Sequence, residues 1–339
     1  MLSATAKTRK IVGLVYPGAV LLDLAAPMEV FHFASDTLGE ETGAAPAPYD
    51  VEIWGLARGP VPSMSGLSMM ATSVLGDSLA GIDTVLVPGA KSGNPDVYRD
   101  RRILDWLQGL PGQVRRIVAV GSGAFLLAEA GLLRGRRATT HWRDSDLLKR
   151  GYPDVTVLKD VIFTADGPIY SSAGVVGAID QALALVEEDH GRTASLKVAK
   201  RLVVLARRPG DHTQLSSFLS SQTRSVRFGE LLDWIYRSLR ADLSVPRLAE
   251  MAAMSPRNFT RVFREELGRP PAEFVRAVRV EVASRLIAEG NDMFGAVSRE
   301  CGFASEEQMR RAFQAVLKLS PRDFHDRNAA RGKLRAAAR

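Results

Sequence analysis

Along the first part of the chain, compact apolar runs alternate with stretches whose apolar residues recur at helical spacing. KIVGLVYPG (10–18) is a β-branched run ended by Pro-Gly and predicts a buried strand. LAAPMEVFHFAS then places Val30, Phe31 and Ala34 on one helical face. YDVEIWGLA predicts a second strand and DTVLVPGA (83–90) a third, again stopping at Pro-Gly. A helix over 100–108 carries Ile103, Leu104 and Leu107. RRIVAVGSG (115–123) predicts a fourth strand that runs straight into the helix AFLLAEAGLL. VTVLKDVIFTADGPIYSS is strand-like, and helices follow at 175–189 and 193–207. Strands alternating with helices argue for a mostly parallel sheet with helices on both faces. Residues 208–225 show no periodicity and read as a linker.

The last third carries a different pattern, a repeat. Shifted by 50 positions, Ser255 falls on Ser305, Phe259 on Met309, Phe263 on Phe313, Leu267 on Leu317 and Phe274 on Phe324. Each copy predicts a short helix, a tight turn and a second helix. In copy one, VPRLAEMAAMS places Leu248, Ala249 and Ala252 on one face; Ser255 is a natural N-cap and Pro256 suits the first helical position. The apolar stripe Phe259, Phe263, Leu267 leaves Arg257, Asn258, Thr260, Arg261 and Arg264 on the outer face. In copy two, the stripe Met309, Phe313, Leu317 leaves Glu306, Glu307, Gln308, Arg310, Arg311 and Gln314 outside.

A helix-turn-helix presents its second helix to the major groove, where Arg and Asn grip base edges bidentately. Two such units, joined by a helical stretch over 271–289, suit successive major grooves about 34 Å apart. A plain helical bundle with solvated charged faces is the other reading of the same pattern. LSVPRLAEMAAMSPRNFTRVFREELGRPPAEFVRAVRV and CGFASEEQMRRAFQAVLKLSPRDF decide between them. Over residues 243–327 they resemble the DNA-binding domain of the AraC/XylS family of bacterial transcription regulators. The resemblance implies that Arg257, Asn258, Thr260 and Arg261 face one half-site and Glu306, Glu307, Arg310 and Arg311 the other. The ending RDFHDRN is a mild departure from the family's Arg-rich close.

Charge follows this division. The net +7 is uneven: residues 226–339 hold 21 Lys+Arg against 15 Asp+Glu, and residues 1–225 hold 24 against 23. The excess sits where phosphate neutralisation requires it, and the basic tail RGKLRAAAR (331–339) adds to it. One cysteine, Cys301, excludes an internal disulfide and fits a reducing cytoplasm. MLSATAKTRK lacks the apolar core of a signal peptide, and Asp23 interrupts AVLLDLAAPM, so a cytoplasmic protein with no membrane span is expected.

In a parallel α/β sheet, ligands sit beyond the carboxyl ends of the strands, which singles out the turn Gly121-Ser122-Gly123. It has neither the length nor the lysine of a phosphate loop. The remaining histidines, His32, His190, His212 and His325, are scattered; no metal and no cofactor is expected. Amides at 122–124 at a helix N-terminus would favour a carboxylate on a ligand. Around this turn the chain resembles the DJ-1/PfpI family, of the class I glutamine amidotransferase-like fold. LLDLAAPMEVF, GSGAFLLAEAGLLRGRRATTHW and YSSAGVVGAIDQALALVEEDHG resemble more closely the sensor domain of GlxA-like AraC regulators, over about residues 9–207. The implied fold is a flavodoxin-like DJ-1/PfpI sandwich followed by an all-α domain with two helix-turn-helix units.

Catalytic members of that family place a cysteine at the elbow, where this chain has Gly121, with a histidine base about twenty residues on, where it has His141. A base without a nucleophile does no covalent chemistry, and Ser122 lies one residue past the elbow. The resemblance implies a ligand pocket lined by Asp23, Gly121, Ser122, His141 and Trp142. The plainer alternatives are that Asp23 caps a helix and that His141 and Trp142 are core. Trp142 or Trp54 is suited to face a cationic group. The expectation is a regulator with a sensing and dimerising domain at 1–207, a linker at 208–225 and a DNA-binding domain at 226–330. Its partners are double-stranded DNA, a small effector of the nitrogenous-metabolite kind, a second copy in a homodimer, and RNA polymerase. Two rivals stay open: an enzyme using His141 with Ser122, and a constitutive regulator whose first domain only dimerises.

Overall fold

Strands form where the apolar runs are densest. In chain order they are β1 (Arg9–Val15), β2 (Tyr49–Gly55), β3 (Gly59–Pro62), β4 (Ser68–Ala71), β5 (Ser73–Val74) and β6 (Ile82–Val87). β7 (Arg116–Val120), β8 (Arg137–Ala138), β9 (Thr156–Val157), β10 (Phe163–Asp166) and β11 (Ile169–Ser172) follow. The computed structural model describes residues 8–42, 47–90, 95–204, 208, 210, 214, 227–288 and 291–327. The chain divides into two units, Met1–Gln214 and Leu215–Arg339.

In the first unit a seven-stranded sheet runs β10-β11-β7-β6-β1-β2-β5, parallel except for β10, which pairs antiparallel with β11. Its helices are α1 (Leu21–Thr42), α2 (Pro95–Tyr98), α3 (Arg101–Gln108), α4 (Gly123–Glu129), α5 (Ser145–Gly151), α6 (Val175–His190) and α7 (Arg192–Arg201). The period-two geometry of a strand sends neighbouring side chains to opposite faces. In β7, Ile117 and Ala119 join Leu107 of α3 and Leu126 of α4 in one core. Val118 and Val120 join Phe31 of α1, Leu185 of α6 and Val198 of α7 in the other. Helices therefore cover both faces, as the alternation predicted.

In the second unit the helices are α8 (Gly229–Arg237), α9 (Val245–Met251), α10 (Pro256–Leu267), α11 (Pro271–Ala288), α12 (Phe294–Glu300) and α13 (Glu306–Leu317), with a further helical stretch at 321–327. The two helix-turn-helix units are α9–α10 and α12–α13. Each second helix is capped as its sequence predicts: Ser255 Oγ accepts the Asn258 N–H and Ser305 Oγ the Gln308 N–H. Phe259 and Phe263 pack with Phe228 and Phe274 in one core, and Met309 and Phe313 pack with Val297, Cys301 and Phe324 in a second. α11 serves both, giving Phe274 and Val278 to the first and Val280 and Ile287 to the second. Burial pushes the Cys301 thiol up to about 12, which keeps it protonated and unreactive.

Several expectations need adjusting. The repeat shift of 50 holds for the second helices, but α9 and α12 start at Val245 and Phe294, so the turn of the second copy is one residue longer. Gly302 lies in that turn at φ +75°, and a β-carbon there would overlap the carbonyl oxygen of Leu239. The helix expected at 193–207 ends at Arg201, and residues 205–207 lie outside the described ones. Within the stretch read as a linker, Arg208, Gly210 and Gln214 are bonded to the first unit; the rest of 208–225 and the tail 331–339 lie outside the described residues. The hairpin β3–β4 and helix α8 had no counterpart in the sequence reading.

Candidate functional site

The candidate site is built where β7 ends. Gly121 takes φ +54°, a left-handed turn that lets α4 start at Gly123. Its N–H donates to Ser172 O at 3.0 Å, and its carbonyl accepts the hydroxyl of Thr140 at 2.9 Å. A β-carbon on Gly121 would stand 3.3 Å from Asp23 Oδ2 and 3.3 Å from the Cα of Gly174. At Gly89 a β-carbon would overlap Ser122 Oγ and stand 2.9 Å from Asp23 Oδ2. Three backbone segments thus close around one carboxyl group.

That carboxyl does more than cap a helix. Asp23 sits in the first turn of α1 and is buried; its Oδ2 accepts the Gly89 N–H at 3.0 Å and its Oδ1 the Val175 N–H at 2.9 Å. It therefore holds together the starts of α1 and α6 and the chain leaving β6. Burial pushes its pKa up to about 6, against the two N–H groups, which lower it. Asp23 thus takes up the amide donors of Gly89 and Val175.

Ser122 directly precedes α4, and its Oγ lies beside the place a β-carbon on Gly89 would occupy. Its hydroxyl donates to Ala90 O at 2.7 Å and accepts the Ala90 N–H at 3.1 Å. His141 follows Thr140, is half-buried, and burial lowers its pKa, which favours the neutral imidazole. Its Nδ1 accepts the Arg143 N–H at 3.4 Å and its ring lies 5.4 Å from that of Trp142. Among the described residues no hydrogen bond joins Ser122 to His141. Trp142 is 45% exposed, with the Arg143 guanidinium 5.6 Å from its ring centre. Trp54 is buried against Trp106 and donates to Glu52 at 2.8 Å, away from the elbow. The sequence reading missed Gly89, Thr140, Gly174 and the Val175 amide; only the Pro-Gly stop before Ala90 hinted at the first.

At the other end of α6, Asp189 binds the buried guanidinium of Arg116 at 2.7 Å and that of Arg115 at 2.8 Å. Arg116 also meets Asp83 and Glu188 at 3.4 Å each. Desolvation works against these charges and the ion pairs hold them, so Asp189 and Asp83 stay below the usual carboxylate range. α6 is fixed at both ends, by Asp23 and by this cluster. Among the described residues no group of three or more His, Cys, Asp or Glu is disposed to hold a metal, and no helix is long and apolar enough to cross a membrane.

The outer faces of α10 and α13 differ. Arg257, Asn258 and Arg261 are exposed on α10, with Arg261 bound to both oxygens of Glu265 at 2.8 Å and to Asn258 at 3.0 Å. The Thr260 hydroxyl donates back to Pro256 O at 2.8 Å. On α13, Glu307 holds Arg310 at 2.7 Å and Arg311 at 3.3 Å, while Glu306 is exposed beside Gly295.

Comparison with known proteins matches residues 9–188 to the DJ-1/PfpI family and residues 248–327 to a helix-turn-helix domain. The chain is 30% identical to the HTH-type transcriptional regulator Rv1931c of Mycobacterium tuberculosis, over 72% of this chain and 94% of that one. It is 31% identical to an isonitrile hydratase of Pseudomonas putida, over 52% of this chain and 69% of the enzyme. A ThiJ/PfpI family protein of Pseudomonas syringae shares the fold of the first unit, with a TM-score of 0.52 at 23% identity, covering 68% of this chain and 88% of that one.

Proposed function

Because the chain belongs to the DJ-1/PfpI family and, with its helix-turn-helix domain, to the AraC-type DNA-binding transcription regulators, we propose that its first unit is a non-catalytic sensor for a small effector. The observation that carries this reading is a glycine at the elbow, Gly121, facing a buried carboxyl, Asp23. The position that would hold a nucleophile has no reactive atom, and the Ser122 hydroxyl is committed to Ala90 in both directions. Asp23, Gly121, Ser122, His141 and Trp142 form or rim the effector site. A buried carboxyl at the elbow and an exposed indole at Trp142 suit a nitrogenous effector that donates a proton to Asp23 and lays a cationic group on Trp142.

Residues 1–207 sense and dimerise in this reading, with Arg208–Gln214 continuing the first unit, and 226–330 bind double-stranded DNA from the cytoplasm, with RNA polymerase as a further partner. Arg257, Asn258, Thr260 and Arg261 face one half-site and Glu306, Glu307, Arg310 and Arg311 the next. The effector acts only through its differential affinity for two arrangements of the chain. The test is a thermal-shift screen of the full chain against amino acids, betaines and polyamines. A stabilising compound whose effect disappears in Asp23→Ala or Trp142→Ala supports the sensor. Turnover of simple amides, esters or isonitriles, lost in His141→Ala, replaces it with an enzyme. A folded chain that responds to nothing in the panel favours the constitutive regulator.

A further inference from the structure

The seven-stranded sheet ends at β5, which pairs with β2 only through Trp54–Ser73 and Gly55–Val74. Both chains run on past this pairing. The Leu75 N–H donates to Gly55 O at 3.1 Å, and the Asp77 N–H turns back to Val74 O at 2.9 Å. α3 closes a third side with Arg102 and Trp106, which are four positions apart and so share one helical face. The three segments flank an open cavity of about 620 Å³, within the range of roughly 300–1,000 Å³ usual for small-molecule sites. None of Asp23, Gly121, Ser122, His141 and Trp142 lines it.

Wall and rim of this cavity differ in chemistry. Leu56, Val74 and Leu75 are half-buried in the wall, and Leu56 and Leu75 pack against the core that holds Trp54 and Trp106. Trp106 is 8% exposed, and its indole N–H is buried with no acceptor, a donor stripped of water with nothing in return. On the rim stand the guanidiniums of Arg58 and Arg102. Asp100 accepts the Arg102 backbone N–H as a helix cap and also its Nε at 3.0 Å, which sets that side chain in place. Among the described residues Arg58 meets one oxygen of Asp77, at 3.3 Å, and that oxygen also accepts the Val74 N–H at 3.2 Å. An exposed pair of this kind contributes little, so the Arg58 guanidinium can turn to a better-placed anion. A carboxylate joined to an apolar body gains twice here, by covering the aliphatic wall and by a charge-assisted bond on the rim.

We propose that this cavity is a second small-molecule site of the first unit and takes an apolar carboxylate. The ring or branched chain of the ligand lies on Leu56, Val74, Leu75 and the Trp106 ring, and its carboxylate takes up Arg58 and Arg102. A ligand oxygen that reaches the Trp106 N–H also satisfies a donor that the fold leaves open. The cavity does this whether or not the elbow binds an effector.

The test uses the full chain and, as probes, cyclohexanecarboxylate, the neutral cyclohexylmethanol, and acetate. Binding is followed by proton–nitrogen NMR of the indole N–H groups. The chain has four tryptophans, and Trp106→Phe and Trp142→Phe assign the two signals that matter. Cyclohexanecarboxylate is expected to shift the Trp106 signal and to bind about tenfold more tightly than either other probe. Arg58→Gln is expected to weaken it by about tenfold. A β-carbon on Gly76 meets nothing within 4 Å, so Gly76→Phe is expected to fill the cavity and abolish binding with the unfolding midpoint unchanged. If Gly76→Phe does not fold, Arg58→Gln decides alone. A folded wild type in which no probe moves the Trp106 signal overturns the proposal. So does a shift at Trp142 in its place, which puts the probe at the elbow rim. Equal affinity for the alcohol, or binding that Arg58→Gln leaves unchanged, overturns it too, by making the cavity a plain apolar cleft.

Discussion

The Asp23 carboxyl stands 3.3 Å from the place a β-carbon on Gly121 would occupy. The helix-start residue and the elbow residue, 98 positions apart in the chain, thus form one centre. Asp23 is a buried acid with an unusual proton affinity, and this makes it testable. Its folded pKa of about 6 lies above the unfolded value, so the folded state binds that proton more tightly. The stabilisation is complete below about pH 4 and is lost as the pH rises through about 6. Between pH 4 and pH 7, the first unit of the wild type is expected to lose on the order of 3 kcal/mol more stability than that of Asp23→Asn. Exchange of the β7 amides across that range measures it; parallel pH profiles would show that Asp23 does not titrate there.

The elbow itself stores strain for any residue but glycine. Gly121→Ala puts a side chain at φ +54° against Asp23 and Gly174, and is expected to cost about 1–3 kcal/mol in the first unit. Urea unfolding monitored by β7 exchange checks this. An unchanged midpoint would mean that the turn relaxes.

The second helix-turn-helix provides a paired test of backbone geometry. Gly302→Ala forces a methyl onto the Leu239 carbonyl at φ +75°, and is expected to destabilise the second unit by about 2–5 kcal/mol. Lys318 ends α13 at φ +58° where its repeat partner Gly268 ends α10 at φ +74°. Lys318→Gly is expected to stabilise the unit by about 1 kcal/mol. Exchange of the α13 amides reads both, and opposite signs are required.

Charge pairing on the outer faces of α10 and α13 differs, and each face can be tested. Glu307→Gln releases Arg310 and Arg311, and is expected to raise affinity for random-sequence DNA and to steepen its salt dependence by about 1–2 in log–log slope. Arg257→Ala is expected to cost about 1–3 kcal/mol and to relax preference at particular base pairs. Loss of affinity in Glu307→Gln at a single base pair would instead mean that the carboxylate reads a base.

Much of this architecture was legible because its causes are local. β1, β6 and β7 announce themselves as apolar runs, and α10 and α13 through Ser255, Ser305 and a four-residue stripe. β3–β4 escaped notice because Pro60 and Pro62 break its pattern. α8 escaped because Leu231, Leu232 and Ile235 stand alone between a linker-like stretch and a conspicuous repeat. At the site, resemblance alone singled out Asp23, with a helix cap as the plainer alternative, because its partners, the amides of Gly89 and Val175, lie 66 and 152 residues away. Gln214 was read as linker for the same reason: nothing in RPGDHTQL declares that its amide finds a carbonyl 74 residues earlier.

α11 has a consequence for descent as well as for binding. A duplicated module usually leaves its two copies free to drift apart in position. Here one helix completes both cores, so neither half can be shortened, lengthened or lost without opening the other. The separation of the two reading helices is therefore inherited as a fixed quantity. A change in α11 is therefore felt in both cores at once, and with it in the placing of α10 and α13.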